Sequence, residues 1–240
     1  MLTMAYIGNG KSTNRYHLPF VRKLADKILV KTIYQRSNSS WPELEGIHYT
    51  HDLDDILSDP EISLVAICTP QSAHYELAKT CLEAGKNVLV EKPFTNNLAQ
   101  ARELFEFTKS QGLVVQAYQN RRFDSDFLTV QKVLASGKLG DLLEMEMHFD
   151  YYRPQVPESN KSFKPEESFL YTHSCHTLDQ VISLFGPPEQ VHYDVRQLLG
   201  SERMNDYFDL DLYYGACKVS VKSSYFRLQA RPSFALYGIY

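Results

Sequence analysis

The sequence predicts an α/β protein in which a doubly wound parallel sheet is followed by an α+β domain built on an open, largely antiparallel sheet. Residues 1–119 alternate short, continuous apolar runs with segments of helical spacing, which is typical of parallel strands covered on both faces. After residue 119 the strand candidates are longer, and they alternate or are rich in aromatic residues. We therefore expect two domains, residues 1–119 and 120–240.

The first domain is predicted to alternate strands and helices. In chain order these are strand Met4–Gly8, helix Tyr16–Ala25, strand Ile28–Tyr34, helix Asp52–Leu57, strand Ser63–Cys68, helix Ala73–Ala84, strand Asn87–Val90, helix Leu98–Gln111 and strand Leu113–Ala117. Gly85 closes the third helix, because glycine readily adopts the left-handed conformation at a helix C-terminus. Strands separated by helices in this way form a parallel sheet with helices on both faces.

The second domain is predicted to combine two helices with a sheet. The helices are Asp126–Ser136 and Ser174–Phe185, and the strands are Leu142–Tyr152, Gln190–Leu198, Tyr207–Tyr214, Lys218–Tyr225 and Ser233–Tyr240. Segment Pro154–Glu167 is rich in Pro, Ser and Lys, which predicts a long exposed loop. Because the sequence stops on a strand without a closing helix, we expect a truncated second domain.

Composition places the chain among globular proteins and argues against several partners. Of its 240 residues, 43% are hydrophobic and 22% are charged, which supplies a core. The net charge of -4 disfavours nucleic-acid and membrane-surface partners, and no apolar run approaches the roughly 18 residues of a membrane helix. The N-terminus MLTMAYIGNG lacks the pattern of a signal peptide. Scattered cysteines without a CxxC pair indicate free thiols, so we expect a cytoplasmic protein.

A glycine-rich turn between the first strand and the first helix predicts a dinucleotide site. The first glycine of such a Rossmann turn permits a tight bend, and the second lets the backbone approach a pyrophosphate at the helix N-terminus. Thr13 stands at the third position, where Gly or Ala is usual, so an ordinary glycine-rich turn stays open as the alternative. The residues predicted to hold the cofactor here are Gly8, Asn9, Gly10, Lys11, Ser12 and Thr13.

The same turn also has to be tested against a P-loop, because Gly10-Lys11-Ser12 matches the end of that motif. A P-loop needs another glycine upstream, at the place where Ala5 stands inside the predicted strand. Without that glycine, the sequence excludes a nucleoside triphosphatase of the P-loop class.

The end of the second strand indicates NADP in preference to NAD. NAD enzymes commonly carry a carboxylate there for the ribose 2′-hydroxyl, whereas an arginine suits a 2′-phosphate. Here the strand runs into Gln35-Arg36-Ser37, with no carboxylate. Arg36 offers a fork of donors and Ser37 a hydroxyl, although a solvated loop arginine gives the same pattern. We therefore expect NADP, with NAD as the alternative.

A Glu-Lys-Pro motif links the sequence to a known family. The stretch Asn87-Val88-Leu89-Val90-Glu91-Lys92-Pro93-Phe94, followed by Leu98 and Ala99, resembles the signature of the Gfo/Idh/MocA family (glucose–fructose oxidoreductase, inositol dehydrogenase and relatives). Three further segments resemble family segments and follow the family's order along the chain. They are Cys68-Thr69-Pro70 with His74, Tyr118-Gln119-Asn120-Arg121-Arg122-Phe123, and His176-Thr177-Leu178-Asp179. The resemblance implies an NAD(P)-dependent dehydrogenase or reductase acting on a sugar, polyol or related hydroxy compound.

The resemblance also implies roles for individual side chains. Lys92 would lie beside the nicotinamide and the reacting carbon, His176 would serve as acid/base, and Glu91 would orient the amide or ribose. A Lys or His poised near neutral pH can take the hydroxyl proton as hydride leaves an alcohol. The cofactor set further includes Thr69, Pro70, His74, Lys92 and Gln119, and the substrate set comprises Lys92, Asn120, Arg153, His173 and His176. Without the resemblance, it is an equally good interpretation that Lys92 is a solvated loop lysine and Arg153 an exposed arginine at a strand end.

One departure from the family leaves the function open. Thr172 stands four residues before His176, where many family dehydrogenases carry Asp, so the acid/base relay is altered or His173 substitutes. A non-catalytic NAD(P)-binding sensor is therefore one alternative, and an interaction module is another. In this family the open sheet commonly packs against a second subunit, so we expect a homodimer that acts on a small molecule.

A metal site is considered and set aside. His173, His176 and Asp179 recur at three-residue spacing and share one face if the helix extends over all of them, with Cys175 adjacent. A zinc site needs further ligands at suitable spacing, which the sequence does not offer, so no metal is predicted. Asp179 is equally well bonded to the helix backbone or to Arg121.

Overall fold

The computed structural model describes residues 1–155, 165–200 and 204–240. The chain forms two compact units, residues 1–118 and 119–240. A parallel sheet in the first unit and a mixed, mostly antiparallel sheet in the second confirm the predicted fold class. Most of the loop predicted at Pro154–Glu167 lies outside the described residues, and its end, Pro165–Glu167, is a short 3₁₀ turn.

The first unit is built on a six-stranded parallel sheet with the order β3-β2-β1-β4-β5-β6. Its strands are β1 Leu2–Ile7, β2 Ile28–Tyr34, β3 His48–Thr50, β4 Leu64–Ile67, β5 Asn87–Val90 and β6 Val115–Ala117. The strand order reverses between β1 and β4, which pair along Met4–Ile7 and Leu64–Ile67. In such sheets a ligand binds outside the carboxyl ends of the strands at the point of reversal. The turn after β1 is therefore at the expected place for a cofactor.

Helices cover both faces of this sheet. They are α1 Leu18–Val21, which continues a π-helical turn Ser12–His17 and runs into a 3₁₀ turn Arg22–Leu24, followed by α2 Asp54–Leu57, α3 His74–Glu83 and α4 Leu98–Gln111. The first helical segment starts at Ser12, earlier than the predicted Tyr16. The polar residues Ser12–Arg15 show no apolar periodicity, and backbone bonding adds them to the helix: Asn14 N–H donates to Gly10 O at 3.1 Å.

Two hydrophobic clusters hold the sheet between its helices. Ala5 and Ile7 of β1 pack on one face with Ile56, Leu82 and Leu104 from α2, α3 and α4. On the other face, a second cluster comprises Met4, Tyr6, Leu18, Val30, Ile33, Ala66 and Cys68. Alternate residues of β1 thus face opposite layers, as the pleat of a strand requires. Burial of each large apolar side chain stabilises the fold by about 1.5–3 kcal/mol.

The second unit contains a five-stranded sheet with the order β11-β7-β10-β9-β8. Its strands are β7 Asp141–His148, β8 Gln190–Arg196, β9 Tyr207–Tyr214, β10 Cys217–Ser224 and β11 Phe234–Ile239, and its helices are α5 Ser125–Ala135 and α6 Phe169–Phe185. Strands β7 and β10 pair in parallel, and the other neighbours are antiparallel. Phe169 and Val181 of α6 and Val130 of α5 pack on Met145 and Val219 of the sheet.

The opposite face of this sheet is polar. Lys218 pairs with Glu144 at 2.9 Å and Lys222 with Asp209 at 2.9 Å, each across neighbouring strands. The two faces therefore follow the alternation expected of a sheet packed against helices on one side.

Helix α6 begins at Phe169, whereas the sequence predicted a start at Ser174. The Ser168 hydroxyl accepts a hydrogen bond from Tyr171 N–H at 3.1 Å, and this N-cap adds more than a turn to the helix. Thr172 and His173 consequently belong to the helix, in one continuous segment with His176.

We expect Ser168→Ala to lower the free energy of unfolding by about 1 kcal/mol, because the mutation leaves an N–H of the first turn without its cap. Urea unfolding would measure the change. Thr129→Ala on the exposed side of α5 is the matched control, since it removes a hydroxyl without removing a cap, and its effect should stay within about 0.5 kcal/mol. Equal stability of Ser168→Ala and the wild type would contradict the cap's contribution.

Candidate cofactor site and acid–base residues

The turn that follows β1, residues Gly8–Thr13, is termed the glycine turn. Gly8 has a φ of +112°, and a Cβ built on it would lie 2.6 Å from Cys68 O. A side chain is excluded there by both conformation and contact. Gly10 differs, because a Cβ at that position meets no atom of the described residues within 4 Å. The fold therefore requires Gly8, whereas the bare backbone at Gly10 leaves space for a ligand.

Thr13 and Asn9 are buried and support the glycine turn from within. The Thr13 hydroxyl donates to Gly8 O, so the residue at the third fingerprint position closes the turn through its side chain. The Asn9 amide donates to Gln35 Oε1 at 2.9 Å and accepts from Asn14 at 2.8 Å. These side chains shape the turn and leave its backbone to meet a ligand.

The loop after β2 reaches the glycine turn. Ser39 Oγ donates to Asn9 O at 2.7 Å, and Arg36 and Ser37, predicted to hold a 2′-phosphate, are exposed in the same loop. The Arg15 guanidinium lies over the Trp41 ring at 5.5 Å. The loop that carries Arg36 and Ser37 is thus bonded to the glycine turn through Ser39.

The ends of β4 and β5 are joined by His74, which is 1% exposed. Its Nδ1 lies 2.8 Å from Pro93 O and its Nε2 lies 3.0 Å from Thr69 O. His74 therefore holds together the loop carrying Thr69 and Pro70 and the loop carrying Lys92. The Thr69 hydroxyl is buried and has no hydrogen-bond partner among the described residues. An orphaned hydroxyl beside Gly8 and the open space at Gly10 both fit a bound dinucleotide.

Glu91 lies at the end of β5 and its carboxylate is engaged within the first unit. Ser12 Oγ donates to Oε1, His17 Nε2 lies 3.1 Å from the same oxygen, and Lys92 N–H donates to Oε2 at 2.9 Å. Burial works to raise the pKa of Glu91, but the hydrogen bonds from His17 and Ser12 and the charge of His17 outweigh it and hold the pKa below its usual value. Lys92 follows, partly buried, at the carboxyl edge of the sheet.

In the second unit, α6 carries the predicted acid–base residues. His176 is buried. His173 Nδ1 lies 3.1 Å from Thr172 Oγ1, and its Nε2 lies 3.1 Å from the Tyr225 hydroxyl. Thr172 Oγ1 also donates to Ser168 O at 2.9 Å. Because the Thr172 hydroxyl donates to Ser168 O, its oxygen is placed to accept from His173 Nδ1–H.

The remaining predicted site residues of the second unit lie at the start of the unit and beyond β7. Gln119 donates through Nε2 to Cys175 O at 3.3 Å, and its Oε1 is buried without a partner among the described residues. Asn120 is exposed in a 3₁₀ turn, Asn120–Phe123. Arg153 is exposed and lies over the Tyr151 ring at 4.4 Å.

Asp179 pairs with Arg122 and not with Arg121, which the sequence suggested. Arg122 binds it through both Nε and Nη2, at 2.6 and 2.7 Å, while Arg121 pairs with Asp124 at 2.8 Å. In the described ranges no three His, Cys, Asp or Glu side chains are grouped to hold a metal ion.

Sequence reasoning missed several residues that the structure brings into these sites. His17, Gln35 and Tyr225 belong to no motif and approach the site residues only through the fold. The one signal available for Gln35 was its place directly after β2, next to Arg36.

Comparisons with known proteins decide the family. A family model described as oxidoreductase family, NAD-binding Rossmann fold, matches residues 2–119, and one described as the GFO/IDH/MocA C-terminal domain matches residues 127–239. The chain belongs to the Gfo/Idh/MocA oxidoreductase family. This confirms the family resemblance and the NAD-binding Rossmann fold.

Individual relatives of this Gfo/Idh/MocA protein agree. The uncharacterized oxidoreductase YhhX of Escherichia coli (strain K12) is 49% identical over 241 residues, which cover 99% of this chain and 69% of YhhX. The scyllo-inositol 2-dehydrogenase (NADP(+)) IolW of Bacillus subtilis (strain 168) is 31% identical over 215 residues, covering 89% of this chain and 60% of IolW. The crystal structure of an oxidoreductase from Bacillus cereus matches with a TM-score of 0.90 at 44% identity, over 99% of this chain and 69% of that one.

The helices of the Gfo/Idh/MocA protein are shorter or more polar than membrane spans. In the parts of the chain that the structure describes, no helix is long and apolar enough to cross a membrane.

The two glycines of the glycine turn should respond differently to the same substitution. We expect Gly8→Ala to cost at least about 3 kcal/mol of unfolding free energy, because the new methyl group meets Cys68 O in a strained conformation. Gly10→Ala should change stability by less than about 0.5 kcal/mol and weaken NADPH binding at least about tenfold, because its methyl group occupies the ligand's space. Urea unfolding and calorimetric titration with NADPH test the pair. Wild-type affinity in Gly10→Ala would show that the open space is not the pyrophosphate site.

Proposed function

We propose that the protein is an NADP-dependent dehydrogenase or reductase that transfers hydride between a nicotinamide and a sugar, polyol or related hydroxy or keto compound. One observation carries the proposal: the Glu91 carboxylate accepts hydrogen bonds from Ser12 of the glycine turn and from Lys92 N–H. The turn that fits a pyrophosphate and the lysine of the Glu-Lys-Pro motif are thus held by one group. A bound nicotinamide would supply the hydride acceptor or donor.

Lys92 is the proposed proton carrier. In the oxidative direction, the C–H bond of the substrate breaks with its electron pair, and the hydroxyl proton leaves as the C=O bond forms. A neutral Lys92 amine takes that proton, and in the reverse direction its ammonium form donates it to the developing alkoxide. His176 is proposed as the second acid/base, on its match to the family's helix motif, and Asn120, Arg153 and His173 as substrate contacts.

A neutral, hydroxylated substrate is proposed from the name of a relative. The name of IolW, an inositol dehydrogenase, supports the same substrate class.

The preference for NADP rests on the loop after β2. This loop carries Arg36 and Ser37, both exposed, and touches the glycine turn through Ser39. A guanidinium group recognises a phosphate with several donors, whereas the ribose hydroxyls of NAD favour a carboxylate. The NADP(+) in the name of IolW also supports this choice.

A non-catalytic NAD(P)-binding sensor is the second candidate, and Thr172 favours it. The Thr172 hydroxyl donates to Ser168 O, so the group that stands in place of the family's aspartate serves the first turn of α6. A hydroxyl also lacks the negative charge with which a carboxylate raises the basicity of a neighbouring histidine.

The partner and compartment of the protein are proposed from its surface and composition. Strand β8 exposes Val191, Tyr193 and Val195 at the edge of the second sheet, and an exposed apolar edge suits pairing with a second copy. We propose a cytoplasmic homodimer, without nucleic-acid or membrane partners. Light scattering of the purified chain tests the dimer.

Lys92→Met distinguishes the enzyme from the sensor. We expect turnover to fall by at least about a hundredfold, because no amine remains to move the proton, while the Kd for NADPH changes less than about threefold. Spectrophotometric assays with a panel of sugars and polyols, together with calorimetric NADPH titration, measure both quantities. Lys109→Met, an exposed lysine of α4, is the control and should retain full turnover. A folded wild type that binds NADPH but turns over no substrate of the panel would favour the sensor.

Arg36→Asp tests the choice of cofactor. The exchange replaces a phosphate-binding cation by a carboxylate suited to the ribose hydroxyls, so NADPH affinity should fall by about ten- to a hundredfold and NADH affinity should hold or rise. Arg22→Asp makes the same charge change at an exposed site outside the loop after β2. Equal losses for both cofactors, or for both variants, would mean that Arg36 does not recognise the 2′-phosphate.

A further inference from the structure

The Glu91 carboxylate meets several hydrogen-bond donors of the first unit's site. It is 9% exposed and meets donors from three residues: Ser12 Oγ, His17 Nε2 at 3.1 Å, and Lys92 N–H at 2.9 Å. Ser12 and His17 are the first and last residues of the π-helical turn that follows Gly10. One carboxylate therefore fixes both ends of that turn and the backbone at Lys92.

His17 is itself held firmly in place. The ring is 4% exposed, lies 4.2 Å from the Tyr118 ring and meets the Tyr6 ring edge-on at 5.7 Å. Its Nε2 also lies 3.9 Å from Cys68 Sγ. Because aromatic contacts enclose the ring, its bond to Glu91 has little freedom to move. The fixed His17 ring therefore limits the movement of the Glu91 carboxylate, and the carboxylate in turn limits the movement of Ser12 in the glycine turn.

We propose that Glu91 is a positioning residue, which holds the glycine turn and the Lys92 backbone in one arrangement without touching the dinucleotide. The inference rests on the proposed function and deepens it. It replaces the role that the sequence suggested, direct orientation of the amide or ribose, because partners from the protein already occupy three of the roughly four acceptor sites of the carboxylate.

The ionised form suits this task. A carboxylate offers two oxygens that only accept, and Ser12 Oγ, His17 Nε2 and Lys92 N–H are all able to donate. The depressed pKa of Glu91, caused by the bonds from His17 and Ser12 against the opposing effect of burial, agrees with a carboxylate that stays charged.

Glu91→Gln is the informative change because it keeps the shape and alters the donors. An amide has one oxygen and one NH₂ group. If the oxygen faces Ser12 and His17, the NH₂ group meets Lys92 N–H, donor against donor. If the amide is turned over, its NH₂ group faces Ser12 and His17, and the charge is lost in either case. The turn and the lysine can no longer be held together as before.

The experiment compares two ligands by calorimetric titration of the full chain. NADPH contains the whole dinucleotide, whereas ADP has the diphosphate that meets the glycine turn and lacks the nicotinamide and its ribose. We expect Glu91→Gln to weaken both ligands by a similar factor, about tenfold. His17→Phe, which keeps the ring contacts and removes Nε2, should weaken both several-fold. The double variant should bind no worse than Glu91→Gln, because both changes break one network.

Glu103→Gln is the matched control. This carboxylate of α4 also accepts two side-chain hydrogen bonds, from Tyr75 at 2.7 Å and Lys79 at 2.8 Å, but lies on the exposed surface. It should bind both ligands as the wild type does. The melting temperature of every variant is measured alongside to separate affinity from folding.

Each outcome of the titrations either supports or overturns the proposal. Parallel losses for ADP and NADPH in Glu91→Gln, with a folded protein and an unaffected Glu103→Gln, support positioning through the turn. A loss confined to NADPH would overturn the proposal in favour of direct contact with the nicotinamide half. Unchanged affinity for both ligands would also overturn it, and would leave the proposed function intact. A folded wild type that binds neither ligand refutes the proposed function and this inference with it.

Discussion

The close approach of the backbone at Gly8 to the end of β4 is the constraint on which the first unit's site depends. Residue 8 has a φ of +112°, and a Cβ there would lie 2.6 Å from Cys68 O. Only glycine therefore allows the chain to turn at this position after β1. That turn places the helical segment from Ser12 next to β5. The tight turn at Gly8 allows two further hydrogen bonds, from Thr13 to Gly8 O and from Ser12 to Glu91.

The same region shows how two adjacent strand ends become one site. His74 bonds to backbone oxygens on both sides, Thr69 after β4 and Pro93 after β5. A neutral imidazole has one N–H and satisfies one of these carbonyls, whereas the doubly protonated ring satisfies both. In either state the ring spans the gap between the loops. The backbone at Lys92 is therefore held by two contacts. His74 bonds to the carbonyl of the next residue, Pro93, and the Glu91 carboxylate accepts from Lys92 N–H.

The sequence predicted the parts of the fold that local patterns determine. Strands β2 and β5 and helix α4 have the bounds expected from their apolar runs and from Gly112. Strand β3 was missed, because three residues pairing with β2 alone carry no periodicity. The start of α6 was placed too late, since the capping bond of Ser168 counts for more there than the apolar spacing.

The site was predictable to the extent that its residues belong to motifs. The glycine turn and the Glu-Lys-Pro sequence are contiguous and can be read directly. The partners that make them a site are far away in sequence: His17 meets Glu91 across 74 positions and Asn9 meets Gln35 across 26. Such pairs arise from the order of the strands, so a single sequence does not reveal them.

Thr172 stands at the position where many dehydrogenases of the family carry aspartate, one residue before His173. An aspartate next to a histidine stabilises its protonated form by charge, and a hydroxyl does not. The Thr172 hydroxyl donates to Ser168 O, so its oxygen is placed to accept from His173 Nδ1–H, while His173 Nε2 lies beside the Tyr225 hydroxyl. The proposed acid–base role of α6 therefore has no carboxylate at position 172 to support it.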